Sequence, residues 1–408
     1  MREVEAAALA FPREPARAQT HEAIPPLRIL YVAHFDVSRR YNGSAARTQD
    51  IIEHLGAAHE VHLVHVATPE AFLSSKVASA LPPNLASATA VKKRGGAISR
   101  LFDWGLFRAA RRLARARKFD VAIADFGATG LQGVGLRATL GLPFVYMSIN
   151  IESRVYLELR RGGAKRRIYA AFLGVAERLS ARCAALVTTV TENDAATMRA
   201  WSGSTPVSVL PVSFKSTKFY PVPDRPTGRP KLVFVGSMDY APNVEAVKFL
   251  AESVMDRVLT ARPDVRFQVI GLHEPGIERM APKAEFVGYV ADLPAALRDA
   301  TLVLVPLMSG GGMHAKTIEA LACGKPVLAS GKGADGIDAA RIPHLRIVPA
   351  AEYSDAILEL LASPPAPVDL GFLTETYSTE ATLSRFEREL YRALPPRRGR
   401  TAPAEGRP

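Results

Sequence analysis

Three glycines, a lysine and a glutamate lie close together in the second half of the chain: Gly310, Gly311, Gly312, Lys316 and Glu319. They follow an apolar run at 301–305 and lead into a helical segment at 314–323. Glycines let backbone N–H groups come close to a phosphate, and a helix N-terminus adds partial positive charge there. Lys316 offers a point charge suited to phosphate. An ionised Glu319, three residues on and on the same helical face, can accept from two vicinal hydroxyls. A flexible strand–helix turn and a surface ion pair are the plainer readings of the same residues. The register of all five favours phosphate binding.

Other residues fall where such a site would need them. Gly236 and Ser237 follow an apolar run at 231–235 and would let a second loop close on the same anion. Asn243 then begins or caps the next helix. His273 sits on the loop after a run at 265–270, facing the same crevice if strands and helices alternate. Tyr289, between Gly288 and Val290, either stacks on a base or fills core. His314 reads as a first-turn helix residue.

The elements that must hold these groups alternate. Strand runs at 27–33, 60–66, 121–124, 144–147 and 186–190 precede a second set at 231–236, 265–270, 284–287, 301–305 and 326–329. Helical segments fall at 46–55, 243–259, 293–300, 314–323 and 379–393. The alternation predicts two doubly wound α/β domains. The first covers 27–213 on the acceptor side and the second 231–378. Between them a proline-rich linker at 214–230 forms a hinge. A final helix spans 379–394, and residues 1–26 and 395–408 read as disordered tails.

With 408 residues the chain is too long for one ordinary core. Its two cysteines, Cys183 and Cys323, are far apart and lack metal-ligand spacing, which speaks against a disulfide scaffold or zinc site and fits a reducing cytoplasm. No run is long and apolar enough for a membrane-spanning helix, and residues 1–26 lack a secretory apolar region. The net charge of +12 favours anionic partners. Neither leading strand is followed by the Gly-x-Gly-x-x-Gly pattern, which argues against a dinucleotide enzyme.

The run from Phe234 through Gly236, Ser237 and Tyr240 to Asn243 resembles the opening of the donor domain in retaining glycosyltransferases of family 4, which have the GT-B fold. So does the run from Val305 through the three glycines, Lys316, Glu319, Ala320 and Gly324 to Pro326 and Val327. The likeness is firm over 231–336 and looser over the rest of 27–394. It implies two Rossmann-like domains facing across a cleft, with a nucleotide-sugar donor in the second and the acceptor mainly in the first. It also implies retention of anomeric configuration, no metal or cofactor, and a last helix that crosses back onto the first domain. By the same resemblance Lys316 approaches the diphosphate and Glu319 the ribose hydroxyls. Gly310, Gly311, Gly312, Met313 and His314 line the donor, and Gly236, Ser237, Asn243, His273, Tyr289 and Val290 surround its phosphates and base.

In the first half Gly43, Ser44 and Arg47 resemble the family's first loop and helix start, although Arg47 also fits a solvated helix charge. Asn150 and Glu152 match a strand-end motif and, with Lys316, are the expected catalytic residues. Three positions depart from the family pattern. Ile149 replaces a histidine that commonly contacts the transferred sugar, Met308 replaces a frequent arginine, and Gly311 replaces a frequent glutamate, the last being a mark of the triple-glycine subgroup. The turn at 191–194 reads as a helix cap.

Residues 91–118 are basic and carry Leu101, Phe102, Trp104, Leu106 and Phe107. That composition fits either an interfacial helix drawn to anionic lipid or a solvated helix whose aromatics pack on the sheet. No nucleic-acid motif accompanies the charge. The resulting expectation is a cytoplasmic, metal-independent, hexosyltransferase-like enzyme, peripheral on the inner membrane face. It would move a sugar from a nucleotide-diphosphate sugar to a polysaccharide, glycolipid or other carbohydrate or lipid-linked acceptor. A nucleotide-sugar epimerase on the same fold and a non-catalytic nucleotide-sugar-binding partner protein are the alternatives.

Overall fold

Short runs of apolar residues, buried on both faces, form strands that can be covered by helices on either side. In the computed structural model, which describes residues 25–38, 43–67, 80–92, 102–159, 163–222, 228–365 and 370–395, they build two sheets. Most of the two expected tails lies outside the described residues. So do Tyr41 and Asn42 of the first loop, Pro223 and Pro226 of the linker, and Lys93, Arg94, Arg100 and Leu101 of the basic segment.

The first sheet contains β1 (Arg28–Ala33), β2 (Glu60–Ala67), β3 (Leu85–Lys92), β4 (Val121–Asp125), β5 (Phe144–Met147), β6 (Leu186–Thr189) and β7 (Val207–Val209). Their order is β3-β2-β1-β4-β5-β6-β7, and every pairing is parallel. The connecting helices are α1 (Gly43–Ala58), α2 (Trp104–Ala116), α3 (Gly130–Leu140), α4 (Glu152–Leu159), α5 (Ala164–Cys183) and α6 (Glu192–Ser202). The second sheet contains β8 (Lys231–Val235), β9 (Arg266–Ile270), β10 (Ala284–Gly288), β11 (Leu302–Val305), β12 (Val327–Ala329) and β13 (Leu345–Ile347). It is again all parallel, in the order β10-β9-β8-β11-β12-β13. Its helices are α7 (Ala241–Phe249), α8 (Met255–Ala261), α9 (Leu293–Arg298), α10 (Ala315–Ala322), α11 (Tyr353–Ala362) and α12 (Leu370–Tyr377), followed by α13 (Thr379–Ala393). Both sheets have the Rossmann-like arrangement, and the α/β fold expected from the sequence is the fold observed.

The strand order reverses direction between β1 and β4 and again between β8 and β11. Crevices at such points, outside the carboxyl ends of the strands, are where open α/β sheets bind ligands. One face of the first sheet packs against α1 and α13, with Leu383, Phe386, Leu390 and Tyr391 joining Ile29, Ile51, Leu63 and Val145 in one core. The other face is covered by α2, α3, α5 and α6.

Several local readings change. The helix expected at 243–259 starts at Ala241, with Tyr240 at its N-cap, and is interrupted by a π-turn at Leu250–Val254 before α8. Asn243 therefore neither opens nor caps the helix. Leu106 and Phe107 of the basic segment are buried in the sheet-facing core, while Trp104 is exposed. The Thr191 turn is a cap: its hydroxyl accepts from Asp194 N at 3.1 Å.

Candidate active site between the two sheets

The loop after β8 is tied to α10. Asn243 Nδ2 donates to Ser237 O at 2.7 Å, and Lys316 Nζ donates to Asn243 Oδ1 at 2.7 Å. Gly236 has no room for a side chain, since a Cβ there would sit 2.6 Å from the Asn243 amide. The Lys316 ammonium also lies 4.3 Å from the centre of the Phe234 ring. Burial drives its pKa down to about 7, against the pull of the Glu319 carboxylate. Gly236, Ser237, Asn243, Lys316 and Glu319 thus form one group at the end of β8.

Two of the three glycines, Gly311 and Gly312, lie against the first domain. A Cβ on Gly312 would fall 2.5 Å from Asn150 Oδ1 and 2.7 Å from Ile149 O. One on Gly311 would fall 2.7 Å from the Val155 side chain. Gly310 and Gly312 also have positive φ, 99° and 73°, which side chains resist. Met313 is buried in the second core. His314 is the N-cap of α10 rather than a first-turn residue, and burial, then Lys316 and Lys332, push its pKa down to about 3, so it is a neutral imidazole.

Two helix N-termini meet at this crevice. A Cβ on Gly43, the first residue of α1, would lie 3.9 Å from the Ala315 Cβ, the first residue of α10. Each end carries partial positive charge. Side by side, they favour an anion next to them.

Across from the glycines Asn150 Nδ2 is 3.4 Å from Glu152 Oε1, and the Asn150 Oδ1 atom is buried without a hydrogen bond. Glu152 begins α4. Burial, then the charge of Glu177, raises its pKa to about 7. Glu177, from α5, caps α4: its carboxylate accepts from Glu152 N at 2.6 Å and from the Ser153 hydroxyl at 2.6 Å. Such a carboxyl near neutrality can hold or release a proton at working pH.

Other expected residues stand further out. Arg47 is buried, not solvated, with Nη1 3.7 Å from Asp125 Oδ1 at the end of β4. Asp125 Oδ2 accepts from Tyr31 and Thr48. Ser44 is half-buried. His273 lies beside Gly288, with Nε2 3.0 Å from Glu278 Oε1 and its ring edge-on to Phe286. Tyr289 is half-buried after edge strand β10, and Val290 packs on the second core. Met308 is exposed.

Sequence reasoning missed three groups. The Tyr240 hydroxyl lies beside Gly310. Lys332 donates to Gly310 O at 3.1 Å and to Glu158 of α4 at 3.2 Å, spanning the crevice. Asp125 anchors Arg47; an acid at the carboxyl end of a buried strand was the available signal. A cavity of about 380 Å³ lined by Lys118, Phe119, Asp120 and Leu142 opens at the opposite end of β4 and β5, where this fold does not build its sites. Among the described residues no group of His, Cys, Asp and Glu is arranged to hold a metal ion.

Comparisons with known proteins agree with this architecture. Residues 41–212 match the family model described as Glycosyltransferase Family 4, and residues 229–363 match the model described as Glycosyl transferases group 1. Among curated proteins, none matches the chain. Sucrose-phosphate synthase from Thermosynechococcus elongatus superposes with a TM-score of 0.71 at 19% identity, covering 90% of this chain and 98% of that one. Anabaena HepE in complex with UDP-glucose gives 0.66 at 13%, covering 89% and 99%. The α,α-trehalose 6-phosphate synthase from Burkholderia multivorans gives 0.61 at 12%, covering 89% and 98%. Since its two halves match these two models in order and share one fold with such enzymes, the chain belongs to the GT-B glycosyltransferases of group 1.

Proposed function

We propose that the crevice binds a nucleotide-diphosphate sugar and that the enzyme transfers the sugar with retention, without a metal ion, to a carbohydrate or lipid-linked acceptor. The observation that carries this reading is the meeting of the α1 and α10 N-termini at Gly43 and Ala315, beside three side-chain-free residues and Lys316. Together they supply N–H donors and positive charge to a departing diphosphate, the largest electrostatic demand of such a transfer. Glu319, one turn along α10, is the group for the ribose hydroxyls. Tyr289 and His273, beyond β9 and β10, lie on the base side.

On the acceptor side, Asn150 and Glu152 face the glycines. With substitution on one face of the sugar, the acceptor proton passes to the departing phosphate oxygen, so no strong protein base is required. Asn150 holds the sugar in place of the histidine replaced by Ile149. The UDP-glucose held by Anabaena HepE supports uridine sugars as the first donors to try. Synthesis of a surface polysaccharide or glycolipid in the cytoplasm is the setting this reading favours.

Calorimetry with UDP, ADP and GDP, followed by product analysis with UDP-sugars, tests the proposal. Lys316→Ala and Glu319→Ala should each weaken the preferred diphosphate by ~1–3 kcal/mol. Unchanged affinity in both variants removes the site. Conversion of donor without any acceptor would instead mark an epimerase, and activity lost to EDTA and restored by a divalent ion would overturn metal independence.

A further inference from the structure

Helix α5 is apolar on two opposite sides. Ala170, Gly174 and Ala181 face the sheet layer. On the far side Ile168, Phe172, Val175 and Leu179 are 57%, 60%, 59% and 44% exposed. Their spacing of four, three and four residues holds them in one line, about 16 Å long at 1.5 Å per residue. A water-facing helix side is normally polar; isolated apolar residues there are ordinary, but four in line are not.

The rim of this stripe is basic. Lys165 precedes it by three residues and Arg182 follows it by three, with Arg167 and Arg178 alongside, all exposed. The one acid in α5, Glu177, is on the buried side, occupied with the N-terminus of α4. Helix α4 lies along α5 through the Tyr156 and Tyr169 rings, 4.8 Å apart, and adds the exposed Leu157. A second copy docked stripe to stripe would set these cations against their own kind. An anionic bilayer satisfies both the stripe and its rim.

We propose that α5 lies flat in the interface of a lipid bilayer containing anionic lipid. Ile168, Phe172, Val175 and Leu179 enter the acyl boundary, and Lys165, Arg167, Arg178 and Arg182 meet the headgroups. The surface differs from the aromatic segment at 91–118, whose Leu106 and Phe107 are buried. Because α4 carries Val155 against Gly311 and Glu158 against Lys332, the docked helix pair borders the crevice. Docking does not rest on the transferase reading.

The test is co-sedimentation of the full chain with phosphatidylcholine vesicles, with and without phosphatidylglycerol. Wild type should sediment with the anionic vesicles and be released by salt. Phe172→Ser with Val175→Ser, which leaves the charge unchanged at exposed positions, should lower partitioning at least about tenfold. Lys165→Gln with Arg167→Gln should remove the preference for phosphatidylglycerol, and Trp104→Ser should bind as wild type. Thermal melting confirms that each variant is folded. Equal partitioning of wild type and the Phe172/Val175 variant, or no partitioning of wild type, overturns the proposal. So does a concentration-dependent dimer in sedimentation velocity that this variant abolishes.

Discussion

Lys316 and Asn243 are joined at 2.7 Å, the ammonium donating to the amide oxygen while the same amide donates to Ser237 O. One side chain thus fixes both the loop after β8 and the lysine that follows the glycines. The lysine is held in a setting that disfavours its charge, with a pKa of about 7. An arriving diphosphate reverses that preference, since an opposite charge favours the protonated form.

Binding should therefore take up protons. At pH 8 the free lysine is mostly neutral and the bound one charged, so calorimetry in buffers of different ionisation enthalpy should show uptake approaching one proton. At pH 6 the uptake should shrink, because Lys316 is already charged. Lys316→Met should abolish it. The same variant should raise the melting temperature of the free protein at pH 6. The wild-type penalty there comes from a depressed lysine pKa, and it is relieved as pH rises from about 7 toward 10.4.

Gly312→Ala should hold the two domains apart. A methyl there meets Asn150 Oδ1 and Ile149 O across the crevice, at a backbone φ of 73°. Opening relieves the contact, so the radius of gyration from solution scattering should rise and kcat should fall at least about tenfold, as expected when reacting groups are misplaced. Gly331→Ala, where nothing lies within 4 Å, should leave both unchanged.

Glu152→Gln should stabilise the protein in a pH-dependent way. The folded carboxyl keeps its proton to about pH 7, whereas the unfolded one loses it near 4.3. Wild-type stability is thus lowered as pH rises through that window. Denaturant unfolding should show no gain for the variant at pH 4 and a gain of at most about 4 kcal/mol at pH 8. If the ionised carboxylate also serves the transfer, activity will fall at pH 8 in the same variant.

Glu387→Gln should loosen α13. His54 and His59 lie 3.3 and 3.0 Å from its carboxylate. Burial alone would raise the Glu387 pKa, but hydrogen bonds from the two histidines outweigh it and bring the pKa down to about 2. The stabilisation is complete above about pH 4.3 and is lost as pH falls toward 2. The variant should cost about 1–3 kcal/mol at pH 7 and nothing at the acid end, measured by urea unfolding.

Buried parallel strands announce themselves, because both faces demand apolar residues. The run at 144–147 and the amphipathic final helix at 379–393 coincide with β5 and α13. The edge strand β3 escaped notice because its alternation, Ala86, Ala88 and Ala90 against Ser87 and Thr89, is carried by small side chains with little hydrophobic contrast. Strands β7 and β13, three residues each, are too short for any period. At the site, spacing along one helix was enough to group Lys316 with Glu319. It could not reveal that Arg47 is buried on Asp125, or that Lys332 reaches Glu158, because those pairs are far apart in sequence and meet only through the fold.

The first core is closed by the last helix. Leu27 and Ile29 share it with Phe386, Leu390 and Leu394. During synthesis that lobe must wait, with its hydrophobic surface incompletely covered, until residues 379–394 have left the ribosome, while the second lobe can already fold around β8 to β13. The order of maturation is thus inverted relative to the order of translation, and truncation just before Thr379 should injure the lobe made first.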